Sequence, residues 1–383
     1  MEESKRKRER TRRKQSKAKQ SKAKQSKAKQ SIHSKDKKTK NKKEMSAELA
    51  ELVESLDLDV DLDDDTIEEI DLSEKDLEAL PLCVCALQDL TGLYLEKNKL
   101  VSLPEEVGNL AELNELYLRN NHLQTLPSSI GNLQNLDSLY LEDNQLQASA
   151  FPTSFGELRQ LGGLCLHRNQ LTELPMPICS LTNLSELYLD GNKISKLPDE
   201  IGYLRELTEI GLIGNGLEEI PRTIGHLTKL KKLHAEKNNI KELPKTFGRL
   251  VELRQLFLHE NKLEKVHSSI GKCLKLETLN LEDNKLSKIG KKVVQLENLK
   301  YLLLANNALT ELPFNPHETS RGLRRLTLQG NQLDIKTMQL DSDVRERAMK
   351  EGASAAAAAA STVGSIQEEE EEEDEEDSGG AKK

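Results

Sequence analysis

Aromatic side chains supply only 3% of this 383-residue chain, and tryptophan is absent. An ordinary globular core of this length draws much of its volume from large rings. Leucine carries the apolar fraction instead, which suggests many copies of one small unit. No run of 18 apolar residues occurs, and the N-terminus has no apolar core of a secretory signal. Cysteines are few and odd in number: Cys83, Cys85, Cys165, Cys179 and Cys273. They form no paired cluster, so no disulfide framework is expected and a reducing compartment is favoured. The expectation is a soluble protein of the cytoplasm and/or nucleus.

Charge of one sign is absent from long stretches even though the net charge is only −9. Residues 1–43 hold 20 Lys/Arg against four acids, whereas Glu368 to Asp377 is a run of ten acids. Between Lys14 and Ser31 the unit Lys-Gln-Ser-Lys-Ala recurs every five residues, a period that fits neither a helix face nor a strand. Segment 1–43 is therefore expected to be a disordered basic tail, and 363–383 a disordered acidic one. Lys5-Arg-Lys-Arg8 and Arg12-Arg-Lys14 resemble nuclear-import clusters, and the basic tail weakly suggests nucleic acid or anionic lipid as a partner. The same tail is also suited to fold back on acidic surface of its own chain.

Residues 44–66 are expected to form an N-terminal cap. Leu49, Leu52, Val53 and Leu56 fall at helical spacing after Ser46, and the strict alternation from Leu56 to Asp63 suggests a strand. From Ile67 the chain is periodic. Units begin at Ile67, Leu90, Leu113, Leu136, Leu161, Leu184, Leu207, Leu230, Leu253, Leu276, Leu299 and Leu323. The step is 23 residues, except for 25 after Leu136 and 24 after Leu299. The unit from Leu90 illustrates the pattern. Leu93 and Leu95 alternate as a short strand with one buried face, while Leu100, Leu103, Val107 and Leu110 point inward from the return segment. Asn98 is expected to bend the chain off the strand and to bond neighbouring coils through its amide. Pro104 sets φ, and Gly108 is expected to allow a tight corner.

The asparagine recurs as a ladder at Asn98, Asn121, Asn144, Asn169, Asn192, Asn215, Asn238, Asn261, Asn284, Asn307 and Asn331. In the first unit Lys75 stands in its place, as a solvent-tolerant end position would allow. Val266-His267 and Ile289-Gly290 replace Leu-Pro, so the outer side is expected to be less regular there. The two extra residues around Gln147 to Phe155 are expected to bulge outward. Residues 341–362, with a cap at Asp341 or Ser342 and the Ala355 to Ala360 run, predict a C-terminal helix.

Segments such as Leu126-Pro127-Ser-Ser-Ile130-Gly131-Asn-Leu133 and Leu197-Pro198-Asp-Glu-Ile201-Gly202-Tyr-Leu204 carry a resemblance. The chain resembles intracellular leucine-rich-repeat proteins with a Leu-Pro-x-x-Ile-Gly-x-Leu return segment. These include the Ras-associated repeat proteins of animals, their plant relatives and the scribble-type polarity scaffolds. The resemblance spans about 270 of 383 residues. It implies an α/β repeat fold, a curved horseshoe solenoid over 67–340 with a concave parallel β-sheet. It also implies a scaffold or adaptor role, in Ras- or kinase-type signalling. Nothing in either tail matches the PDZ modules that polarity scaffolds often add. A weaker resemblance links Glu368 to Asp377 with acidic-tailed repeat proteins that handle histones, which implies a nuclear chromatin- or RNA-associated regulator as the alternative.

On such a scaffold the third, fifth, seventh and eighth positions of each unit are free for function. A sheet of twelve strands at roughly 4.8 Å spacing is on the order of 55 Å long, suited to a protein surface or extended peptide. The fifth position reads Asp71, Tyr94, Tyr117, Tyr140, Cys165, Tyr188, Gly211, His234, Phe257, Asn280, Leu303 and Thr327. Four of the six tyrosines fall in this column, and tyrosine combines large contact area with few rotatable bonds. The candidate partner-binding residues are Tyr94, Tyr117, Tyr140, Tyr188 and Phe257, with Glu96, Glu115, Arg119, Glu142 and Asp190 beside them. Acids outnumber bases on these positions, which favours a basic partner and repels nucleic acid. Enzymatic machinery is not expected. Gly211, Gly214 and Gly216 are followed by no helix that would make a phosphate loop, and Cys83-Val-Cys85 lacks a second pair for zinc. His167, His234 and His259 face the concave side, but His234 and His259, in adjacent units, fall in different columns, so neither metal nor cofactor is expected.

Overall fold

The structure, a computed structural model, describes residues 47–58, 66–312 and 322–334. Twelve strands form one parallel sheet in chain order. They are β1 (Glu69–Asp71), β2 (Gly92–Tyr94), β3 (Glu115–Tyr117), β4 (Ser138–Tyr140), β5 (Gly163–Cys165) and β6 (Glu186–Tyr188). They continue as β7 (Glu209–Gly211), β8 (Lys232–His234), β9 (Gln255–Phe257), β10 (Thr278–Asn280), β11 (Tyr301–Leu303) and β12 (Arg325–Thr327). The register joins leucine to leucine even where the unit is longer, with Leu139 opposite Leu164 and Leu302 opposite Leu326. Burial sets the register, because a slip by one residue would carry the central leucine of a strand out of the core. Leu90, Leu93, Leu95, Leu100, Leu103, Val107 and Leu110 of the second coil are all buried.

Across the core from the sheet, each of the first ten coils returns through a short 3-10 turn such as Glu105–Asn109. Pro104 precedes it at φ −70° and ψ 155°, and the Val107 N–H donates to the Pro104 carbonyl. His267 and Gly290 adopt nearly the same angles, φ −67° and −71°, and the turns Ser268–Lys272 and Lys291–Gln295 still form. The expected irregularity at these coils is absent. The extended conformation there is open to any residue and proline only preselects it. At His267 the ring Nδ1 accepts from the Ser269 N–H at 3.0 Å as well.

Two further expectations are corrected. Gly108 does not serve by adopting a corner conformation, since positive φ among the described glycines occurs only at Gly191, Gly214 and Gly330. It serves by lacking Cβ: that atom would lie 2.6 Å from the Ser129 carbonyl of the next coil, and at Gly131 the same clash would be 2.2 Å from the Ser154 carbonyl. Coil stacking, rather than turning, demands glycine. The two extra residues near Gln147 do not bulge. They form an added turn, Ala148–Ala150, that tucks Phe151 into the core edge-on to Phe155 at 5.1 Å.

The bend off each strand lies one residue before the asparagine. Glu74, Lys97, Asn120, Asp143, Arg168, Lys237, Glu260, Asp283 and Asn306 have φ between 51° and 58°, and Gly191, Gly214 and Gly330 fill the same place in other coils. The asparagine next in the chain works through its amide. Asn169 Nδ2 donates to the carbonyls of Leu141 (2.9 Å) and Leu166 (3.2 Å), and its Oδ1 accepts from the Leu146 N–H at 2.9 Å. Each amide thus ties its own coil to the one before it.

At the N-terminal end residues 47–56 are helical, with Leu49 buried and Leu52 and Leu56 packed on the first coil. The expected strand does not start at Leu56. Asp57 turns to φ 52° and the Leu58 N–H reaches back to the Val53 carbonyl at 3.0 Å, a bond that closes the helix. The rest of that alternation, 59–65, lies outside the described residues, as do the expected helix at 341–362 and both charged tails. Lys75 is more than tolerated in place of asparagine, because its Nζ donates to the Leu56 carbonyl at the end of this helix, 3.1 Å away.

Candidate functional site

The sheet register brings the fifth-position residues into one continuous column, with Tyr94 opposite Tyr117, Tyr117 opposite Tyr140, and Cys165 between Tyr140 and Tyr188. Tyr94 and Tyr117 stack at 5.0 Å between ring centres, and Tyr117 and Tyr140 at 4.3 Å with their planes 14° apart. The rings lean back over the residue two positions earlier in their own strands. Tyr94 lies across Gly92, Tyr117 donates to Glu115 at 3.2 Å, and Tyr188 donates to Glu186 at 3.3 Å. Burial, reinforced at Tyr94, Tyr117 and Tyr188 by the nearby glutamates, raises all four phenol pKa values above the ordinary tyrosine range. The ridge is therefore a fixed, neutral, half-buried aromatic surface.

Phe257 is not part of that stack. Gly211 breaks the column, and Phe257 instead stacks on His234 at 4.6 Å, while His234 Nδ1 lies 3.4 Å from Glu236. The second aromatic pair was legible only in part, since reading the column identified Phe257 but gave His234 no role beside it. Gly211 itself leaves room for Asp190, whose carboxylate oxygen would stand 2.6 Å from any Cβ there.

The charged neighbours divide into engaged and available groups. Glu96 accepts from the Ser73 hydroxyl at 2.8 Å, and Glu115 holds Tyr117. Arg119 is exposed. Glu142 does not stand free in the trough: it is only 7% exposed, its Oε2 has no hydrogen-bond partner, and burial raises its pKa. Asp190 accepts from the Ile213 N–H at 2.6 Å, and burial pushes its carboxyl up to about 6 against that bond. Asp143 pairs with Arg168 through two contacts of 2.5 and 2.7 Å. Among the described residues no three His, Cys, Asp or Glu side chains converge as metal ligands. The arrangement offers a broad surface with aromatic faces, hydroxyls and carboxylates.

Comparison with known proteins places this architecture. Residues 105–191 and 186–258 match a model described as a leucine-rich repeat region, and 275–333 match one described as a leucine rich repeat. A leucine-rich-repeat protein of Leptospira interrogans is 31% identical, with a TM-score of 0.54, over 73% of this chain and 82% of that one. The chain belongs to the leucine-rich-repeat family. An internalin from Listeria monocytogenes shares the fold at 22% identity and TM-score 0.62, over 75% of this repeat protein and 90% of its own length. The plant peptide hormone receptor RGFR1, solved in complex with RGF2, is 28% identical with a TM-score of 0.51. That match covers 67% of this repeat protein and half of the receptor chain. No curated protein matched the chain. Leucine-rich-repeat domains generally mediate protein–protein interaction and are typically non-enzymatic modules. No helix among the described residues is long and apolar enough to cross a membrane.

Proposed function

We propose that this protein is an adaptor whose concave sheet grips a protein partner along Tyr94, Tyr117, Tyr140 and Tyr188. The observation that carries the proposal is the stack of three tyrosines held half-exposed in one column of the sheet. Rigid rings lose little entropy on contact, so they suit a binding hot spot. The partner presents a basic segment, because Glu96, Glu115, Glu142, Glu186 and Asp190 border the ridge. The complex of RGFR1 with RGF2, in a receptor 28% identical to this chain, supports a polypeptide ligand. The setting is signalling of the Ras or kinase-cascade kind in cytoplasm or nucleus, which rests on the return-segment resemblance.

The test compares the intact chain with a Tyr94→Ala/Tyr117→Ala/Tyr140→Ala variant as bait in native lysate, read by mass spectrometry after circular dichroism shows both to be folded. Partners that bind the intact chain and are lost from the variant are expected. With a purified partner the affinity should fall about thirtyfold or more, the scale of a hot-spot loss. An identical partner list would move function off the ridge. Histones or RNA-binding proteins among the lost partners would favour the nuclear alternative.

A further inference from the structure

The tyrosine stretch of the column, from Tyr94 to Tyr188, has one empty rung. Tyr94, Tyr117 and Tyr140 stack at steps of 4.3–5.0 Å, and Tyr188 resumes the column two strands after Tyr140. Between them stands Cys165, whose small side chain cannot fill a ring's volume. The floor beside it is bare as well. Gly163 precedes Cys165 in β5, and a Cβ there would meet only the Ser138 hydroxyl, at 3.7 Å. One planar group placed in this rung would face Tyr140 and Tyr188 at the same step that the column already uses.

The charge around the rung selects the kind of planar group. Three carboxylates, Glu142, Glu186 and Asp190, lie close enough to Cys165 to act on its thiol, and together with burial, the larger cause, they push it up to about 12. The thiol is thus neutral and offers no counter-charge. Glu142 is nine-tenths buried with an oxygen that lacks any hydrogen-bond partner, and Asp190 is held by the Ile213 N–H, the field of His234 and its own backbone, with Glu236 opposing them. Arg119 and Arg168 lend Glu142 some positive field, but Arg168 is already clamped on Asp143. Carboxylates desolvated with so little compensation are costly in the free protein, and a cation delivered by a ligand offsets that cost.

We propose that the Cys165 rung is a receptor for one arginine side chain of the partner, its guanidinium sandwiched between Tyr140 and Tyr188 and bonded to the surrounding carboxylates. Arginine fits where lysine does not, because its planar fork stacks on rings and spans a carboxylate with two parallel bonds. The inference rests on the concave-face reading and gives it a chemical specificity.

The test uses the full chain with 13C-labelled tyrosine rings. Six tyrosines give few signals, and Tyr140→Phe and Tyr188→Phe assign the two that matter. N-acetyl-arginine methylamide is titrated to millimolar levels beside its citrulline counterpart, planar but neutral, and its lysine counterpart, cationic but not planar. The arginine probe is expected to shift the Tyr140 and Tyr188 signals saturably, and the other two probes to do so at least about tenfold more weakly. Glu142→Gln with Asp190→Asn should weaken the arginine response to a similar degree, and Cys165→Tyr, which fills the rung, should remove it. No saturable shift, or an equal response to citrulline or lysine, overturns the proposal without any need for the variants to fold. Because the probe is a single residue, the result is independent of the lysate experiment: loss of partners from the ridge variant with a silent titration refutes only the arginine site.

Discussion

A single carboxylate shows what this surface costs the fold. Asp190 is half-buried over Gly211, and its pKa rises from 3.8 to about 6 because burial outweighs the Ile213 N–H bond. Between those two values the folded state holds the proton more tightly than the unfolded state. Stability is therefore lost as pH rises from about 4 to about 6, and the loss persists above that window. Partial exposure screens the effect, which leaves a cost on the order of 2 kcal/mol at neutral pH. Asp190→Asn keeps an oxygen for the Ile213 N–H and removes the charge. Its Tm should exceed that of the parent at pH 7 and match it near pH 4. A gain of equal size at both values, or a loss at pH 7, would show that the carboxylate is not strained as described.

At the level of the element, the asparagine ladder does the joining. An interior rung such as Asn169 bonds the Leu146 N–H and the Leu141 and Leu166 carbonyls in the dry core. Asn169→Ala leaves those groups unpaired and should cost about 3 kcal/mol in chemical denaturation. Asn331 makes the same kinds of bond, to the Leu309 N–H and the Leu304 and Leu328 carbonyls, but at the partly buried last coil, where water can substitute. Its replacement should cost about 1 kcal/mol. Equal losses at the two sites would mean that the amides stabilise locally rather than through burial. A second ladder lies on the surface, where pairs 23 residues apart, among them Lys232–Glu209 at 2.8 Å and Lys275–Glu252 at 2.7 Å, bridge neighbouring coils. Exposed pairs of this kind each contribute little, so the coils depend on the amides and the leucines.

For the whole molecule, the arrangement of charge matters more than its sum. A basic stretch of 20 Lys/Arg at residues 1–43 shares the chain with a sheet face bordered by carboxylates. Tethering makes the effective concentration of one for the other high. If the tail competes for the concave face, a chain lacking 1–43 should bind its partner more tightly at low salt, and the difference should vanish as salt screens the competition. An affinity unchanged at low salt would separate the tail from the face.

Repeat number, strand positions and the column of tyrosines were legible in the sequence because the repeat is linear: each coil packs only on its neighbours, so a spacing of 23 residues translates directly into a spatial neighbour. The same logic ran out wherever a residue answers to the next coil instead of its own. The outer glycines looked like turn formers, yet they are required by a carbonyl one coil away. The bend looked like the work of asparagine, yet the left-handed residue before it varies from Lys97 to Asp283 and leaves no compositional mark. Glu142 and Asp190 read as open surface charge until their burial was known. Periodicity determined which residues line the concave face; only the packed coils decided which rings stack, which carboxylates are left uncompensated and where the column stands empty. Stacking and desolvation depend on angles and distances between neighbouring coils, and residue spacing carries no record of either.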